Sequence, residues 1–301
     1  MKIGVDIGGS HIAIGVVNNS GRIVEKIEKR LTSIEKKDIK KSIEDYIIEH
    51  TLQFMKNYEI DEMGIAIPGT AVDGVVLTSG NLKIRDYNIV EKLNEKIKLP
   101  IKVRNDAKCA AVAENNYGCL KGYNISLFLT LGTGIGGAVF VDNKLLKGNV
   151  RPGYEIGHMV IDKNGIECVC GKKGCFERYA SMKVFKDNLR NALGLTETTR
   201  GEELLEIVRR NKPGNDNYEV IENIVSEYIE NLSIGLINII DIFEPEILGI
   251  GGSFVYFEDV FLPRLQEIIN KESDRKPARG HITVKTAVLG NDAGMIGATL
   301  I

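Results

Sequence analysis

The sequence has little excess charge of either sign. Its 39 Lys and Arg residues against 41 Asp and Glu residues give a formal net charge of −2. The basic residues are scattered, so no basic face predicts a nucleic-acid partner, and no acidic run predicts a disordered tail. Apolar runs such as Ile234 to Ile240 are too short to cross a bilayer, and the first residues predict a strand rather than a secretory leader. We therefore expect a cytoplasmic protein with no membrane partner.

Cysteine is also scarce, and three of the five cysteines lie close together in the chain with one histidine. In a reducing cytoplasm, clustered cysteines are more often metal ligands than disulfides. Three thiolates and one imidazole form a closed tetrahedral set that suits a structural Zn²⁺. The predicted ligands are His158, Cys168, Cys170 and Cys175. Packing cysteines or a redox pair are the alternatives, although cysteines separated by one residue would form a strained disulfide.

Strand-like and helix-like segments alternate along the 301 residues, a length sufficient for two domain-sized cores. An antiparallel meander begins at Lys2, and a second one near Asn124 repeats it at an offset of 124 positions, which places Gly8 on Gly132. Both copies continue into further strands and helices, so we interpret the chain as two similar halves, with chance agreement as the alternative. The predicted fold class is α/β, with a parallel-containing sheet in each half and a hinge within 106–122.

Periodicity also predicts individual helices. They are expected over 38–56, 87–97 and 107–116 in the first half, and over 182–192, 202–211, 217–243, 260–271 and 293–301 in the second.

Three glycine-rich turns follow predicted strands, at 6–10, 131–137 and 249–254. Glycine backbone N–H groups can face phosphate oxygens, but a hairpin turn explains any single one of these segments equally well. No Walker-type Gly-Lys-Ser/Thr sequence is present. Asp6 could hold a Mg²⁺ that bridges phosphates, or it could simply start the first turn.

Acidic and amide side chains mark two further places. Asn105 and Asp106 lie where a predicted strand stops and a helix starts, which is where open α/β sheets bind ligands, although Asp106 could be only a helix N-cap. Glu155 and Glu177 flank the cysteine cluster. Their carboxylates suit a hydroxyl-rich ligand such as a sugar, and solvated surface acids are the alternative.

Taken together, these segments resemble the ROK family of sugar kinases and sugar-responsive repressors over nearly the whole chain. The resemblance rests on VDIGGSHIAIGVVN, GIAIPG, VRNDAKCAAVAE, TLGTGIGGAVFVDNKLLKG, GYEIGH, CVCGKKGCFERYAS, EPEILGIGGSF and GMIGAT, in that order. It implies two ribonuclease H-like domains of the actin/hexokinase type with a cleft between them, and a homodimer. We place the domains at 1–115 plus 291–301 and at 116–290.

The resemblance also implies a reaction, the transfer of the γ-phosphoryl group of ATP, with Mg²⁺, to a hexose hydroxyl, usually the 6-OH. Asp106 resembles the general base. The implied sugar-binding residues are Gly69, Gly80, Asn105, Asp106, Glu155, His158 and Glu177. Those implied to face the phosphates are Asp6, Gly8, Gly9, Ser10, Thr133 and Gly134, and those on the adenosine side are Gly251 and Gly252. The sequence departs from the family pattern at Ser10, Ala138 and Met182.

We therefore expect an ATP-dependent hexokinase with glucose as the first choice of substrate, because the segment ERYAS is similar to glucokinase-type members. Kinases for N-acetylmannosamine, N-acetylglucosamine, allose or fructose are alternatives within the family. A sugar-sensing repressor carries a helix-turn-helix before the first glycine turn, and here that turn begins at Asp6. A zinc-stabilised sugar-binding protein without catalysis stays open.

Overall fold

The computed structural model describes residues 1–33, 35–148, 154–275 and 280–301. The chain forms two compact units. Unit 1 comprises Met1–Lys121, Leu145–Tyr154 and Val288–Ile301, and unit 2 comprises Gly122–Lys144 and Glu155–Ala287. No helix in the described part of the chain is both long enough and apolar enough to span a membrane.

Unit 1 contains a five-stranded mixed sheet and a smaller three-stranded sheet. Its elements, numbered in chain order, are β1 (Lys2–Ile7), β2 (His11–Val17), β3 (Ile23–Arg30), α1 (Ile39–Phe54), β4 (Glu62–Ile67), β5 (Thr70–Val72), β6 (Val75–Ser79), β7 (Ile84–Asn88), α2 (Ile89–Asn94), β8 (Ile101–Asn105), α3 (Asp106–Tyr117) and, last in the chain, α9 (Ala293–Ala298). The large sheet has the order β3-β2-β1-β4-β8. β1 is antiparallel to β2 and parallel to β4, and β4 is parallel to β8.

Unit 2 has the same sheet plan. Its elements are β9 (Ser126–Leu131), β10 (Ile135–Val141), β11 (Lys144–Leu145, which ends at the unit boundary), α4 (Glu177–Ala180), α5 (Met182–Ala192), α6 (Gly201–Arg209), α7 (Tyr218–Phe243), β12 (Ile247–Gly252), α8 (Glu258–Asp274) and β13 (Thr283–Thr286). The strand order is β11-β10-β9-β12-β13, with β9 antiparallel to β10 and parallel to β12. The predicted α/β class, the two meanders and the two similar halves are therefore confirmed.

Parallel strands place the candidate residues at matching strand ends. In unit 1, Asp6 pairs with Ala66 and Ile67 pairs with Asn105, so the carboxyl ends of β1, β4 and β8 lie side by side. In unit 2, Gly252 pairs with Leu131, so β12 and β9 end together. Ligands of open α/β sheets bind at this edge.

Small residues let α9 pack closely against both α3 and the large sheet of unit 1. A Cβ on Gly297 of α9 would lie 1.7 Å from the carbonyl oxygen of Cys109 on α3, and a Cβ on Gly64 of β4 would lie 1.7 Å from that of Ala298. No side chain fits in either space. The Gly/Ala-rich composition of the last helix is thus a packing requirement, and it holds α3 at the sheet edge where Asp106 begins the helix.

A buried carboxylate fixes the other end of α3. Glu114 is 0% exposed. Its Oε2 accepts the backbone N–H of Cys119 at 2.8 Å, and its Oε1 accepts those of Val288 and Leu289 at 2.9 and 2.8 Å. Because a buried carboxylate is tolerated only when its oxygens are hydrogen-bonded, these contacts tie the end of α3 to the segment with which the chain re-enters unit 1.

The structure differs from the sequence prediction between residues 70 and 97. The sheet β5-β6-β7 was not predicted. The helix expected over 87–97 covers only Ile89–Asn94, and it starts late because the Asn88 side chain accepts the N–H of Glu91 and caps it. Tyr87 instead belongs to β7 and is buried. Strands this short lack a clear alternation, so their pairing was not readable from sequence.

Candidate functional site

Two carboxylates of unit 1 interact at the sheet edge. Burial raises the pKa of Asp6 to about 7, and the nearby negative charge of Asp106 adds to this effect, while Lys26 opposes it. Burial likewise raises the pKa of Asp106. Two mostly buried acids in one region repel each other when both are ionised, and a divalent cation relieves that repulsion.

Asp6 does not start the first turn. It lies within β1, paired with Ala13 and Ala66. The turn after it is closed by backbone alone, since the N–H of Gly8 donates to the carbonyl oxygen of His11 at 2.8 Å. The carboxylate of Asp6 is therefore not needed to make the turn, and the turn-starting alternative is wrong.

Asn105 and Asp106 divide two roles between them. Asn105 is the N-cap of α3, and its Oδ1 accepts the N–H of Lys108 at 3.1 Å. The N-cap alternative for Asp106 is therefore wrong. The Asp106 Oδ1 accepts the N–H of Ala107 at 2.8 Å and an amide hydrogen of Asn105 at 3.1 Å. The Asn105 amide also donates to the carbonyl oxygen of Gly69 at 3.0 Å. The Asp106 carboxylate is thus held in one orientation, as proton transfer requires.

Packing alone explains several of the predicted glycines. A Cβ on Gly251 would lie 2.8 Å from the Phe128 ring, and one on Gly252 would lie 2.4 Å from the Leu131 carbonyl oxygen. Gly69 has a φ of +103° and its Cβ would lie 2.1 Å from the Thr78 carbonyl oxygen. These glycines are required by the fold whether or not a ligand binds beside them.

At other glycines, packing within the protein leaves room for a side chain. A Cβ on Gly80 or on Gly132 would meet no atom within 4 Å, and one on Gly9 would have only the Asn81 Cβ, at 3.6 Å, as a neighbour. Gly9 and Gly80 are exposed in unit 1 together with Ser10, and Gly132 precedes the exposed Thr133 in unit 2. Open space beside an exposed turn is what a close-approaching ligand needs. Gly132 was not among the predicted site residues, although the 124-residue repeat placed it opposite Gly8.

The second and third glycine turns of the chain both belong to unit 2, and they are neighbours. Gly251 pairs with Thr130 and Gly252 with Leu131 in the parallel ladder of β12 and β9. The turn after β9 is closed by the N–H of Gly132, which donates to the carbonyl oxygen of Gly134 at 3.0 Å. α5 begins against the same turn, because the N–H of Lys183 donates to the carbonyl oxygen of Gly132 at 3.0 Å. Unit 2 thus gathers two glycine turns and one helix start at one edge.

The four predicted metal ligands converge. One ligand atom from each of His158, Cys168, Cys170 and Cys175 lies within 4.8 Å of every other. Cys168 Sγ lies 3.6 Å from His158 Nδ1, and Cys170 Sγ lies 3.5 Å from Cys175 Sγ. Sulfur ligands at about 2.3 Å around a tetrahedral zinc ion lie about 3.8 Å apart, so the set fits this metal. No disulfide joins Cys168, Cys170 and Cys175, which disfavours the disulfide alternative.

The protonation of the thiols is consistent with a cation site. Burial raises the pKa of Cys175 to about 12 and also raises that of Cys168. A hydrogen bond from the backbone N–H of Lys172 lowers the pKa of Cys170. The buried Cys168 and Cys175 therefore lose their protons less readily than exposed thiols do, and a bound cation would stabilise their thiolates.

Glu177 connects the cysteine cluster to the second glycine turn. Its Oε1 lies 3.5 Å from both His158 Nδ1 and Cys168 Sγ, and a Cβ on Gly134 would lie 2.7 Å from its Oε2. Glu155 precedes the short helical turn Ile156–His158 and is exposed, without a side-chain cap bond. The structure therefore brings His158, Glu177 and the cysteines together, whereas the side chain of Glu155 faces solvent.

Asp292 belongs to the carboxylate region, and sequence reasoning missed it. Its Oδ1 accepts a hydrogen bond from Lys26 Nζ at 2.8 Å, and its negative charge contributes to the raised pKa of Asp6. It lies just before α9, far along the chain from the first turn. No local pattern marks such a residue, because only the return of the chain to unit 1 places it there.

The raised pKa of Asp6 predicts how stability depends on pH. The folded protein holds a proton at Asp6 up to about pH 7, whereas the unfolded chain releases it near the ordinary value of 3.8. Wild-type stability therefore falls as the pH rises through this window. We expect Asp6→Asn to raise the free energy of unfolding by about 2 kcal/mol more at pH 8 than at pH 5.

Urea unfolding without added magnesium measures this difference. Asp45→Asn removes an exposed carboxylate from α1 and serves as the control, with a similar small effect at both pH values. Equal stabilisation by Asp6→Asn at pH 5 and pH 8 would contradict the prediction.

The chain is similar to known proteins both in sequence and in structure. The profile of the ROK family matches residues 2–301. The chain is 29% identical to a glucokinase of Streptomyces coelicolor over 99% of this chain and 96% of the relative. It is 28% identical to a xylose repressor of Caldicellulosiruptor bescii over 90% of this chain and 70% of the relative. It is also similar to the crystal structure of a ROK family glucokinase from Streptomyces griseus in complex with glucose and AMPPNP, with a TM-score of 0.78, 28% identity and coverage of 99% and 97% of the two chains.

Proposed function

The chain belongs to the ROK family, and on that premise we propose that it is an ATP-dependent sugar kinase that transfers the γ-phosphoryl group to a hexose hydroxyl. The observation that carries the proposal is the carboxylate of Asp106. It is mostly buried, it stands at the start of α3, and two hydrogen bonds fix its orientation. A repressor that only senses a sugar has no need of an oriented base with a raised pKa, whereas phosphoryl transfer to an alcohol has.

In this proposal Asp106 Oδ accepts the proton of the sugar hydroxyl as that hydroxyl attacks the γ-phosphorus, and the bond from this phosphorus to the bridging oxygen breaks so that ADP leaves. Burial raises the pKa of Asp106, which makes it a stronger base than an exposed carboxylate. Asn105 orients Asp106 and also binds the Gly69 carbonyl oxygen. Asn105 therefore acts through the geometry of its neighbours, and a direct contact to the sugar stays a prediction.

The next roles concern the nucleotide, divided into its phosphates and its adenosine. We assign the phosphates to Asp6, Gly8, Gly9 and Ser10 in unit 1 and to Thr133 and Gly134 in unit 2. The adenosine side is assigned to Gly251 and Gly252. Mg²⁺, when bound near Asp6, supplies positive charge that neutralises the phosphate oxygens. This assignment is supported by the open space at Gly9 and Gly132 and by the raised pKa of Asp6.

Sugar recognition is assigned to Glu155, His158 and Glu177 in unit 2, with Gly69 and Gly80 in unit 1. Zinc, when bound by His158 and the three cysteines, supplies rigidity to the segment that carries Glu177. His158 Nδ1 faces Cys168 Sγ at 3.6 Å, so its Nε2 is the ring nitrogen left for a sugar hydroxyl. A histidine shared in this way would couple sugar affinity to the metal.

Glucose is the proposed first substrate, because glucokinases of Streptomyces coelicolor and Thermotoga maritima match 99% of the chain. The test is ADP release, coupled to NADH oxidation, across a panel of glucose, mannose, fructose, allose, N-acetylglucosamine and N-acetylmannosamine. We expect the highest kcat/KM with glucose and phosphate on its 6-OH, identified by NMR of the product. A highest value with N-acetylmannosamine would correct the substrate within the same reaction class.

The same experiment tests the alternative that the protein is a sugar sensor, which the similarity to a xylose repressor supports. A sugar sensor without catalysis would bind one sugar of the panel tightly and release no ADP. If the metal-loaded protein with ATP and Mg²⁺ leaves every sugar unmodified, the proposed kinase function is wrong.

A further inference from the structure

A lysine of α5 lies beside both glycine turns of unit 2, and none of the roles above uses it. Lys186 Nζ donates to Ser253 Oγ at 3.1 Å. Ser253 directly follows Gly252, the last residue of β12. One helical turn earlier on α5, the N–H of Lys183 donates to the carbonyl oxygen of Gly132. The side chain of Lys186 therefore reaches the third glycine turn, while the start of its helix contacts the second.

The charge of Lys186 lacks a carboxylate partner. In residues 1–33, 35–148, 154–275 and 280–301, no ion pair involves Lys186. The acid one residue further along the helix, Asp187, is taken by Lys183 and Arg190. Burial lowers the pKa of Lys186, and the positive charge of Arg190 lowers it further. Holding a partly buried ammonium group without a counter-ion costs free energy, which an anionic ligand would recover.

The position of Lys186 indicates which anionic group of the nucleotide would pair with it. The second turn is assigned to the phosphates and the third to adenosine, and the two turns are neighbours at the ends of β9 and β12. Lys186 contacts the third turn from a helix that starts on the second. A group between adenosine and the outer phosphates is the first phosphate, the one attached to the ribose. Ser253 Oγ takes one of the three N–H donors of the ammonium group, which leaves donors for a phosphate oxygen.

We propose that Lys186 binds the first phosphate of the adenine nucleotide. The proposal rests on the proposed kinase function and adds a residue to its nucleotide site. The open space beside Gly132 is compatible with this placement, since a Cβ there would meet no atom within 4 Å. Lys186 would act by charge as well as by hydrogen bonding, because an ammonium group donates to phosphate more strongly than a neutral donor does.

A purely structural role for Lys186 makes a different prediction. If the lysine only ties α5 to Ser253, its loss would disturb the whole nucleotide site and weaken adenosine and AMP alike. If it binds the first phosphate, its loss would weaken AMP and ADP and leave adenosine unchanged. The difference between AMP and adenosine therefore separates the two roles.

The experiment is isothermal titration of the full-length, metal-loaded protein with ADP, AMP and adenosine. We expect Lys186→Met to weaken ADP and AMP binding by about tenfold, with adenosine binding within about twofold of wild type. Lys186→Arg keeps the charge and is expected to retain most of the ADP affinity. Lys271→Met removes an exposed lysine of α8 that pairs with Glu267, and it should leave all three affinities unchanged.

The titrations distinguish failure of the Lys186 assignment from failure of the kinase function. Wild-type ADP affinity in folded Lys186→Met, or equal losses for adenosine and AMP, would overturn the assignment of Lys186 and leave the kinase proposal intact. Thermal melting shows whether the variant is folded, and if Lys186→Met is not, Lys186→Gln takes its place. No ADP binding by the wild-type protein itself would overturn the proposed kinase function.

Discussion

Asp106→Asn is expected to lower kcat for sugar phosphorylation by about 10³-fold, the size of effect that removal of a general base produces. The amide keeps an oxygen that can accept the N–H of Ala107, so the start of α3 should be preserved. It cannot accept the hydroxyl proton at neutral pH. Sugar binding should persist in weakened form, within about tenfold of wild type, because only one of its proposed contacts changes. The loss should therefore lie in kcat far more than in KM.

The measurement combines steady-state kinetics with sugar titration in the absence of nucleotide. Asp45→Asn, the exposed-carboxylate control, should keep wild-type kcat. The Asp106→Asn variant should also melt at or above the wild-type temperature near pH 8, because burial raises the pKa of Asp106 and ionisation of this group opposes folding. A folded variant with kcat within tenfold of wild type would remove Asp106 from the role of base.

Loss of the metal is expected to have the second large effect. The segment between Met159 and Phe176 contains little regular structure. Its strand pairing, within the residues that the structure describes, consists of two isolated bridges, one between Val160 and Cys175 and one between Glu167 and Lys173. A structural zinc site supplies about 10 kcal/mol or more of binding free energy in small peptides, enough to decide whether such a segment is ordered. We expect Cys175→Ser to abolish stoichiometric zinc and to weaken sugar binding by about tenfold or more, since Glu177 and His158 lose their support.

Metal analysis and sugar titration test this expectation without involving magnesium or ATP. Cys119→Ser changes a buried cysteine of unit 1, outside the cluster, and should keep one zinc ion per chain and wild-type sugar affinity. Removing zinc from wild type with a chelator and restoring it should reproduce and then reverse the loss. Unchanged sugar affinity in zinc-free protein would separate the cluster from sugar recognition.

Much of the fold was readable because local patterns and the 124-residue repeat agreed. The predicted helix over 182–192 is α5, Met182–Ala192, and the one over 217–243 is α7, Tyr218–Phe243. Boundaries shifted where capping decided them, as at Asn88, and the helix predicted over 260–271 is the slightly longer α8, Glu258–Asp274. The sheet β5-β6-β7 was missed because strands of three to five residues carry too little periodicity.

The sequence by itself determined the α/β class, the doubled plan and which residues form the His/Cys cluster. The class depends on glycine turns that follow strands, the doubled plan on the repeat at 124 positions, and the cluster on Cys-x-Cys followed by Cys after four residues. Such spacings restrict what the chain can do wherever it folds. The homodimer and the cytoplasmic location stay predictions.

Only the tertiary structure decided which acids act together and which glycines leave open space. Asp6 acquires a pKa of about 7 because the fold buries it near Asp106 and Asp292, residues far away in the chain. Gly132 is open while Gly251 and Gly252 are filled by neighbours, a difference no glycine-rich pattern contains. Burial and charge–charge repulsion depend on distances through space, and these are fixed only when strands from distant parts of the chain pair side by side.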